Sequence, residues 1–523
     1  MTGIFGGGGD VKRRLILLVA TFLLLLLTGA TLRRTSTVDA VSGATKLKKL
    51  KESAITNSSL PGLEAELKGS ELKIAGPSFP SDLDPAHGNG CYTLAYGVGE
   101  TLFYINNGDI QPWLAQSWRN LGPRTWEIKL SPGVKFQNDK TMTAQSVKES
   151  LERAVRLDTD AAKLLPVSFV QAEGLTLTIH TSAPCPSLIH NLAAPAFTIV
   201  DAASDQKESF SYFPVCTGPF IPTTFIGQVE VVLRRFDDYH GGTPKLGGAD
   251  IRLVADTDKL VQNLKNRTTD AAVGLPQEDI STLSKSGCQI ETKDTACVEL
   301  LMMNQQNAAL SNSAVRQAVA LAISRQAAGG AFAPALPYMD HTDPYPYDPA
   351  AAKTLLAQAG YAGETLSFRL ALPAGDAELL KRAQTIKTQL GQVGIDITVR
   401  IYNDVFFTSR ARYGKFDLLL MTAQTAENGD AQNFFESYVA SEGNLNYGHY
   451  RNEQVDADLA QLEREFDSNR RVLLTDQIQS LVVKDAAFVF LGYPQTDVVA
   501  SKSVSGLPVS SAGYRLTADT SKK

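Results

Sequence analysis

Apolar positions along this chain recur with two periods, and the changes between them delimit elements. Within 347–361, Ala352, Leu355, Leu356 and Ala359 fall at i, i+3, i+4 and i+7, so one helical face is apolar. Asp348 suits the cap, Pro349 the first helical position and Gly360 the exit, which predicts an amphipathic helix with both ends specified. A second helix is predicted within 314–325, where Val315, Ala318, Val319, Ala322 and Ile323 share a face. Period two governs Thr125–Leu130, which alternates like a half-buried strand, turns at Pro132-Gly133 and resumes to Phe136. Glu71–Ile74 alternates in the same way.

Between Leu366 and Ile401 the period switches twice. Leu366–Leu370 alternates, Asp376 opens a helix with Leu379, Ala383, Ile386 and Leu390 on one face, and Ile395–Ile401 alternates again. A strand, a helix and a strand in that order predict parallel pairing and an α/β lobe. With 523 residues the chain exceeds one ordinary core, and at least two lobes are expected. Hydrophobic content of 43% with 20% charged residues is a globular balance, and a net charge of −5 gives no electrostatic reason to expect nucleic acid as a partner.

The N-terminal region follows a different pattern. After Lys12-Arg13-Arg14, residues 15–32 are uncharged and predominantly apolar, close to the minimum for spanning a bilayer. Either a retained membrane anchor, with 1–14 cytoplasmic, or a signal segment cleaved after Ala30 satisfies this pattern. Residues 33–69, rich in Ser, Thr, Lys and Glu, are expected to form a polar stalk. The five cysteines, Cys91, Cys185, Cys216, Cys288 and Cys297, have no close metal spacing. Outside the membrane they would form disulfides with one thiol to spare. Cys288 and Cys297 could close a hairpin, and Cys185 with Cys216 is a further option.

Two turns, Cys216-Thr217-Gly218-Pro219-Phe220 and Asp238–Leu246, complete an ordered set with Thr125–Phe136, Ala314–Arg325 and Tyr347–Tyr361. Taken in this order, the set resembles the extracytoplasmic solute-binding proteins of the peptide/nickel family that serve ABC importers, over about Leu72 to Leu507. The resemblance implies a bilobed periplasmic-binding-protein fold of α/β class whose lobes close over a ligand by hinge motion. Lobe one would take 70–300 completed by 490–523, and lobe two 301–489, with Met302-Met303-Asn304 as a crossing strand. It also implies an ABC permease as partner, a peptide or peptide-like ligand, and a place outside the membrane, anchored or released. The connection Arg325–Pro337 is shorter than in many relatives, and Ala30 stands where Gram-positive relatives carry a lipobox cysteine.

Candidate ligand contacts follow from the same resemblance. In Thr425–Phe435, Glu427 stands where the peptide-binding branch uses a carboxylate to hold the peptide ammonium, a charge-assisted hydrogen bond. Asn428 and Asp430 flank it, and by composition all three also suit a solvated turn. Tyr92 belongs to Asp84–Tyr92, a segment that by resemblance opens onto the cleft. In that segment His87 and Cys91 could contribute to a soft or borderline metal site, as a nickel or metal-chelate binder of this fold would require. The stalk holds a separate signal. Asp39-Ala40-Val41-Ser42-Gly43-Ala44-Thr45 resembles the target of a flavin transferase that attaches FMN to the final threonine, which implies covalent FMN at Thr45 of an extracytosolic flavoprotein. No Ser-His-Asp or Cys-His arrangement emerges, and catalysis is not expected.

Overall fold

The computed structural model describes residues 55–57, 70–106, 108–206, 209–325, 330–334, 336, 338, 343–426 and 428–523. The apolar segment 15–32, Thr45 and Glu427 lie outside the described residues. Among the described residues no helix is long and apolar enough to cross a membrane.

Lobe one is organised by an eight-stranded mixed sheet. Its strands run in the order Ile55–Thr56, Phe220–Ile226, Glu230–Arg235, Gly248–Leu253, Glu71–Gly76, Ala271–Val273, Gln495–Ala500 and Gln289–Asp294. A separate antiparallel sheet, ordered Ala115–Gly122, Thr125–Leu130, Thr176–Thr181 and Val167–Glu173, carries its own apolar core. In it Trp126, Ile128 and Leu130 point inward as the alternation requires. Ile55–Thr56, inside the segment expected as stalk, instead pair antiparallel with Phe225 and Thr224 at the edge of the large sheet.

Lobe two holds a five-stranded sheet, Ile395–Tyr402, Leu366–Pro373, Leu418–Gln424, Cys297–Met303 and Phe488–Gly492. The predicted unit is present: Leu366–Pro373 and Ile395–Tyr402 are parallel neighbours, and the helix between them, Ala377–Gln392, buries Leu379, Ala383, Ile386 and Leu390. Asp376 caps it by accepting from the Glu378 and Leu379 amides. The helix Pro349–Leu356 starts in the same way, with Asp348 accepting from Ala350 and Ala351, and the chain leaves it through Gly360 at φ 96°. Helix Ser313–Leu321 buries Val315, Ala318 and Val319, and Ala322 and Ile323 extend that face past its end.

The chain passes between the lobes twice, from Asp294 to Cys297 and from Gly492 to Gln495. The two crossings are bonded side by side. The Thr295 amide donates to Pro494 O at 2.9 Å, the Thr295 hydroxyl to the same oxygen at 2.7 Å, and Gln495 Nε2 to Asp294 Oδ1 at 2.9 Å. This arrangement corrects the cysteine expectation, because no disulfide joins any of the five cysteines. Gln289–Asp294 pairs with Gln495–Ala500 instead of turning back, and Cys297 opens a strand of the other lobe, so Cys288 and Cys297 flank a crossing and not a hairpin. Cys185 and Cys216 are buried in two different apolar clusters, and burial pushes the Cys185 thiol up to about 12.

Candidate functional site

The segment that follows strand Leu418–Gln424 makes a contact between the lobes away from the crossings. Thr425 ties its start to the first crossing, donating from its amide and its hydroxyl to Ala296 O at 2.9 and 3.1 Å. Asn428 Nδ2 then donates to Asn191 Oδ1 of lobe one at 2.7 Å, and His190 Nδ1 donates to Asn428 O at 3.0 Å. Asn191 is held ready for this contact, since its own amide donates to Leu164 O and Ser187 Oγ. Gly429 has φ 76°, and a Cβ there would lie 2.9 Å from Ile105 Cδ1 and 3.2 Å from His190 Nδ1. Glycine is therefore required twice, by its conformation and by the approach of lobe one. Further along the contact Phe466 of lobe two packs on Trp126, ring centroids 6.1 Å apart, against the core of the four-stranded sheet.

Asp430 fixes the shape of this loop. Its carboxylate is buried and takes Arg471 Nη2 at 2.8 and 2.7 Å, Arg471 Nε at 3.2 Å and the Gln432 amide at 2.9 Å. Burial alone would push this carboxyl up, but the Arg471 and His190 charges and the hydrogen bonds outweigh it and hold the carboxyl below its ordinary value. Tyr338 closes the loop from the other side, donating to Gly429 O at 3.0 Å and accepting from the Ala431 amide at 2.9 Å. Asn428 and Asp430 are thus neither solvated turn residues nor free acceptors: their polar groups are engaged within the protein. Glu427, between Ala426 and Asn428, is outside the described residues.

The remaining candidates are dispersed. Tyr92 is half-buried on the short helix Gly90–Ala95, its ring 6.0 Å from that of Tyr96. His87 turns its Nδ1 to Asp82 Oδ2 at 3.2 Å, and the nearby Asp84 is already committed to Arg153. Cys91 is exposed. Among the described residues no group of three or more His, Cys, Asp or Glu could hold a metal ion.

One cavity is shared by the two lobes and a smaller one belongs to lobe one. The larger, about 1320 Å³, lies beside the crossings and takes its walls from both lobes, with Asp294 and Asp497 on one side and Glu299, Tyr338 and Arg382 on the other. Five carboxylates (Asp294, Glu299, Asp376, Glu378, Asp497) face two basic groups (Lys381, Arg382), which gives the cavity an acidic balance. Arg382 is paired with Glu299 at 3.0 Å, and Asp497 accepts from Gln277 Nε2 at 2.8 Å and from the Thr292 hydroxyl. The smaller cavity, about 170 Å³, is built from lobe one and its C-terminal segment, with Cys91, Tyr104, Ile105, Trp113 and Arg515 among its walls.

Two α/β lobes, joined by paired crossings and sharing a ligand-sized space, are the architecture of bilobed binding proteins. Residues 109–446 match the profile of the bacterial extracellular solute-binding proteins, family 5, and the chain belongs to that family, the binding components of ABC importers. It is 28% identical to the nickel-binding protein NikA of Staphylococcus aureus over 86% of this chain and 93% of that protein. It is 27% identical to the glutathione-binding protein GsiB of Salmonella paratyphi A over 73% of this chain and 80% of that one. The crystal structure of the S. aureus NikA in complex with Ni(L-His)2 superposes with a TM-score of 0.75 at 27% identity, covering 87% of this chain and all of that one.

None of His190, Asn191, Tyr338, Arg471 or Arg515 was singled out from the sequence. His190 and Asn191 meet Asn428 across 238 and 237 residues, and no local period carries such information. The loop itself was marked by the resemblance at Glu427, with Asn428 and Asp430 as residues that also suit a turn.

Proposed function

We propose that the protein captures a peptide-like solute outside the membrane and delivers it to an ABC permease, acting by binding and closure without chemistry of its own. The observation that carries this reading is the acidic cavity of about 1320 Å³ with walls from both lobes. A space shared by two lobes is created or opened as they move, and an excess of carboxylates favours a ligand that brings an ammonium group. Glu427, within the contact loop, would take that ammonium. The N-terminal apolar segment would keep the protein at the outer face of the membrane.

Nickel carried as a chelate is the second reading. It is favoured by the 28% identity to a nickel-binding protein. Native mass spectrometry of the purified protein tests both readings. A retained peptide supports the first, a retained nickel complex the second, and a lipid or sugar would overturn both. Covalent FMN at Thr45 rests on the motif Asp39–Thr45 alone and would add a redox function at the stalk. Co-expression with a flavin transferase should give a fluorescent band on a denaturing gel that Thr45→Ala abolishes, and a dark wild-type band beside a labelled control acceptor would refute it.

A further inference from the structure

The smaller cavity holds an arginine, Arg515, that forms no ion pair among the described residues. Arg515 follows the strand Gly513–Tyr514 in the C-terminal segment, and its amide donates to Pro508 O at 3.0 Å. Its guanidinium lies 4.5 Å from the centroid of the Trp113 ring and 5.3 Å from that of Tyr104. The two rings themselves are set edge to face, 5.8 Å apart at 71°. Stacking of this kind holds a guanidinium in one plane while leaving its N–H edges available.

Among the described residues those edges meet no hydrogen-bond acceptor and no carboxylate within ion-pair distance. Glu100 is the acid that acts on Arg515 from nearby, but it is fully buried and engaged by the Tyr239 hydroxyl at 2.5 Å and by His240 Nε2 at 3.0 Å. Burial lowers the Arg515 value, with Tyr104, Tyr239 and Glu100 offsetting part of that effect. A partly buried cation without a counter-ion is costly, and most arginines in such positions are paired. The protein supplies a cavity of about 170 Å³ in front of the group, enough for a ligand of amino-acid size.

We propose that Arg515, stacked on Trp113 and Tyr104, is the recognition site for a carboxylate presented by a ligand of amino-acid size in this cavity. The planar fork of guanidinium donors matches a carboxylate in a bidentate pair. Ile105 forms a wall of the same cavity and is also the residue against which Gly429 of lobe two packs, so an occupant would sit next to the closing contact. The assignment rests on the solute-binding reading only for the source of the carboxylate, either a free amino acid or the end of a longer peptide-like ligand.

The test uses the purified full-length protein and two probe sets: a mixture of L-amino acids and dipeptides as free acids, and the same compounds as C-terminal amides. Calorimetry and thermal melts are compared for wild type, Arg515→Gln and Arg515→Lys. The free acids should bind wild type about tenfold or more tightly than the amides. That preference should vanish in Arg515→Gln and weaken in Arg515→Lys. Amino acids acting alone would mark a self-contained site, whereas binding confined to dipeptides would mark the end of a longer ligand. Equal binding of acids and amides, binding of neither, or a preference that survives Arg515→Gln would overturn the assignment. Should Arg515→Gln not fold, the acid-against-amide comparison in wild type and Arg515→Lys decides alone. A neutral peptide-like solute that co-purifies with the protein would leave the importer reading standing while removing this one.

Discussion

Two of the contacts between the lobes, the crossings and the contact loop, are built from different materials. At the crossings the chain itself is the connection, braced by the bonds of Thr295 to Pro494 O and of Gln495 to Asp294. At the contact loop the connection is made by side chains: the Asn428 and Asn191 amides, the His190 imidazole, and the packing of Phe466 on Trp126. A joint that must survive every cycle is well served by covalent strands whose bonds do not change. A contact that must form and release is better served by a few side-chain hydrogen bonds, each contributing about 0.5–1.5 kcal/mol. The difference teaches where opening should occur: at the loop, with the crossings bending.

The strongest way to break this contrast is to remove the support beneath the loop. Arg471→Met leaves Asp430 buried without its counter-charge and should lower stability by about 3–5 kcal/mol in urea unfolding. The same pair predicts an acid limit. Asp430 has a folded value below its unfolded one, so its contribution is fully present above the ordinary carboxylate range and is lost as pH falls through the depressed folded value. Asp417, held low by Arg369 and Asn307 against its own burial, acts in the same direction. Melting temperature should therefore fall on acidification below about pH 4, and Arg471→Met should show less of that fall. A variant with the wild-type acid profile would show that Asp430 is not the responsible group.

Gly429→Ala comes next. It places a methyl group against Ile105 and forces a left-handed conformation, at a cost of about 1–2 kcal/mol. Because the clash exists only when the lobes meet, solution scattering should report a larger radius of gyration, and an unchanged radius would separate the loop from closure. Asn428→Ala removes one cross-lobe hydrogen bond, so ligand affinity should weaken by about 1 kcal/mol with little effect on unfolding. Thr295→Val should give the smallest and opposite result: a loss of about 0.5–1 kcal/mol in unfolding free energy with affinity unchanged. If Thr295→Val shifted affinity and Asn428→Ala did not, the roles of the two contacts would be reversed.

What the sequence disclosed was local. The helix at 349–356 was legible because cap, period and exit agree within a dozen residues, and the parallel unit from Leu366 to Tyr402 because two changes of period flank a capped helix. The family resemblance extended this to the two-lobed fold. The site was less legible, because its residues owe their roles to partners far along the chain. Asp430 reads as a turn acid until Arg471 is folded against it, and Asn428 as a loop amide until Asn191 arrives. Arg515 stands 402 positions from Trp113, and neither residue carries a mark of the other in its neighbourhood. The cysteine expectation failed for a related reason: nearness along the chain suggested a hairpin where the chain changes lobes.

The order of strands in the large sheet also imposes an order on biogenesis. Gln289–Asp294 is an edge strand whose neighbour is Gln495–Ala500, and that neighbour is also the partner of Ala271–Val273. As the chain emerges, the edge waits for a mate that is 201 residues behind it, from Asp294 to Gln495, while all of lobe two is made and threaded out. Lobe one is therefore a container whose last wall is delivered only after its contents have been built elsewhere. Until then an unpaired strand edge is exposed, the kind of surface that recruits chaperones or stray strands. For this protein the vulnerable moment is the interval of synthesis between the first crossing and the second.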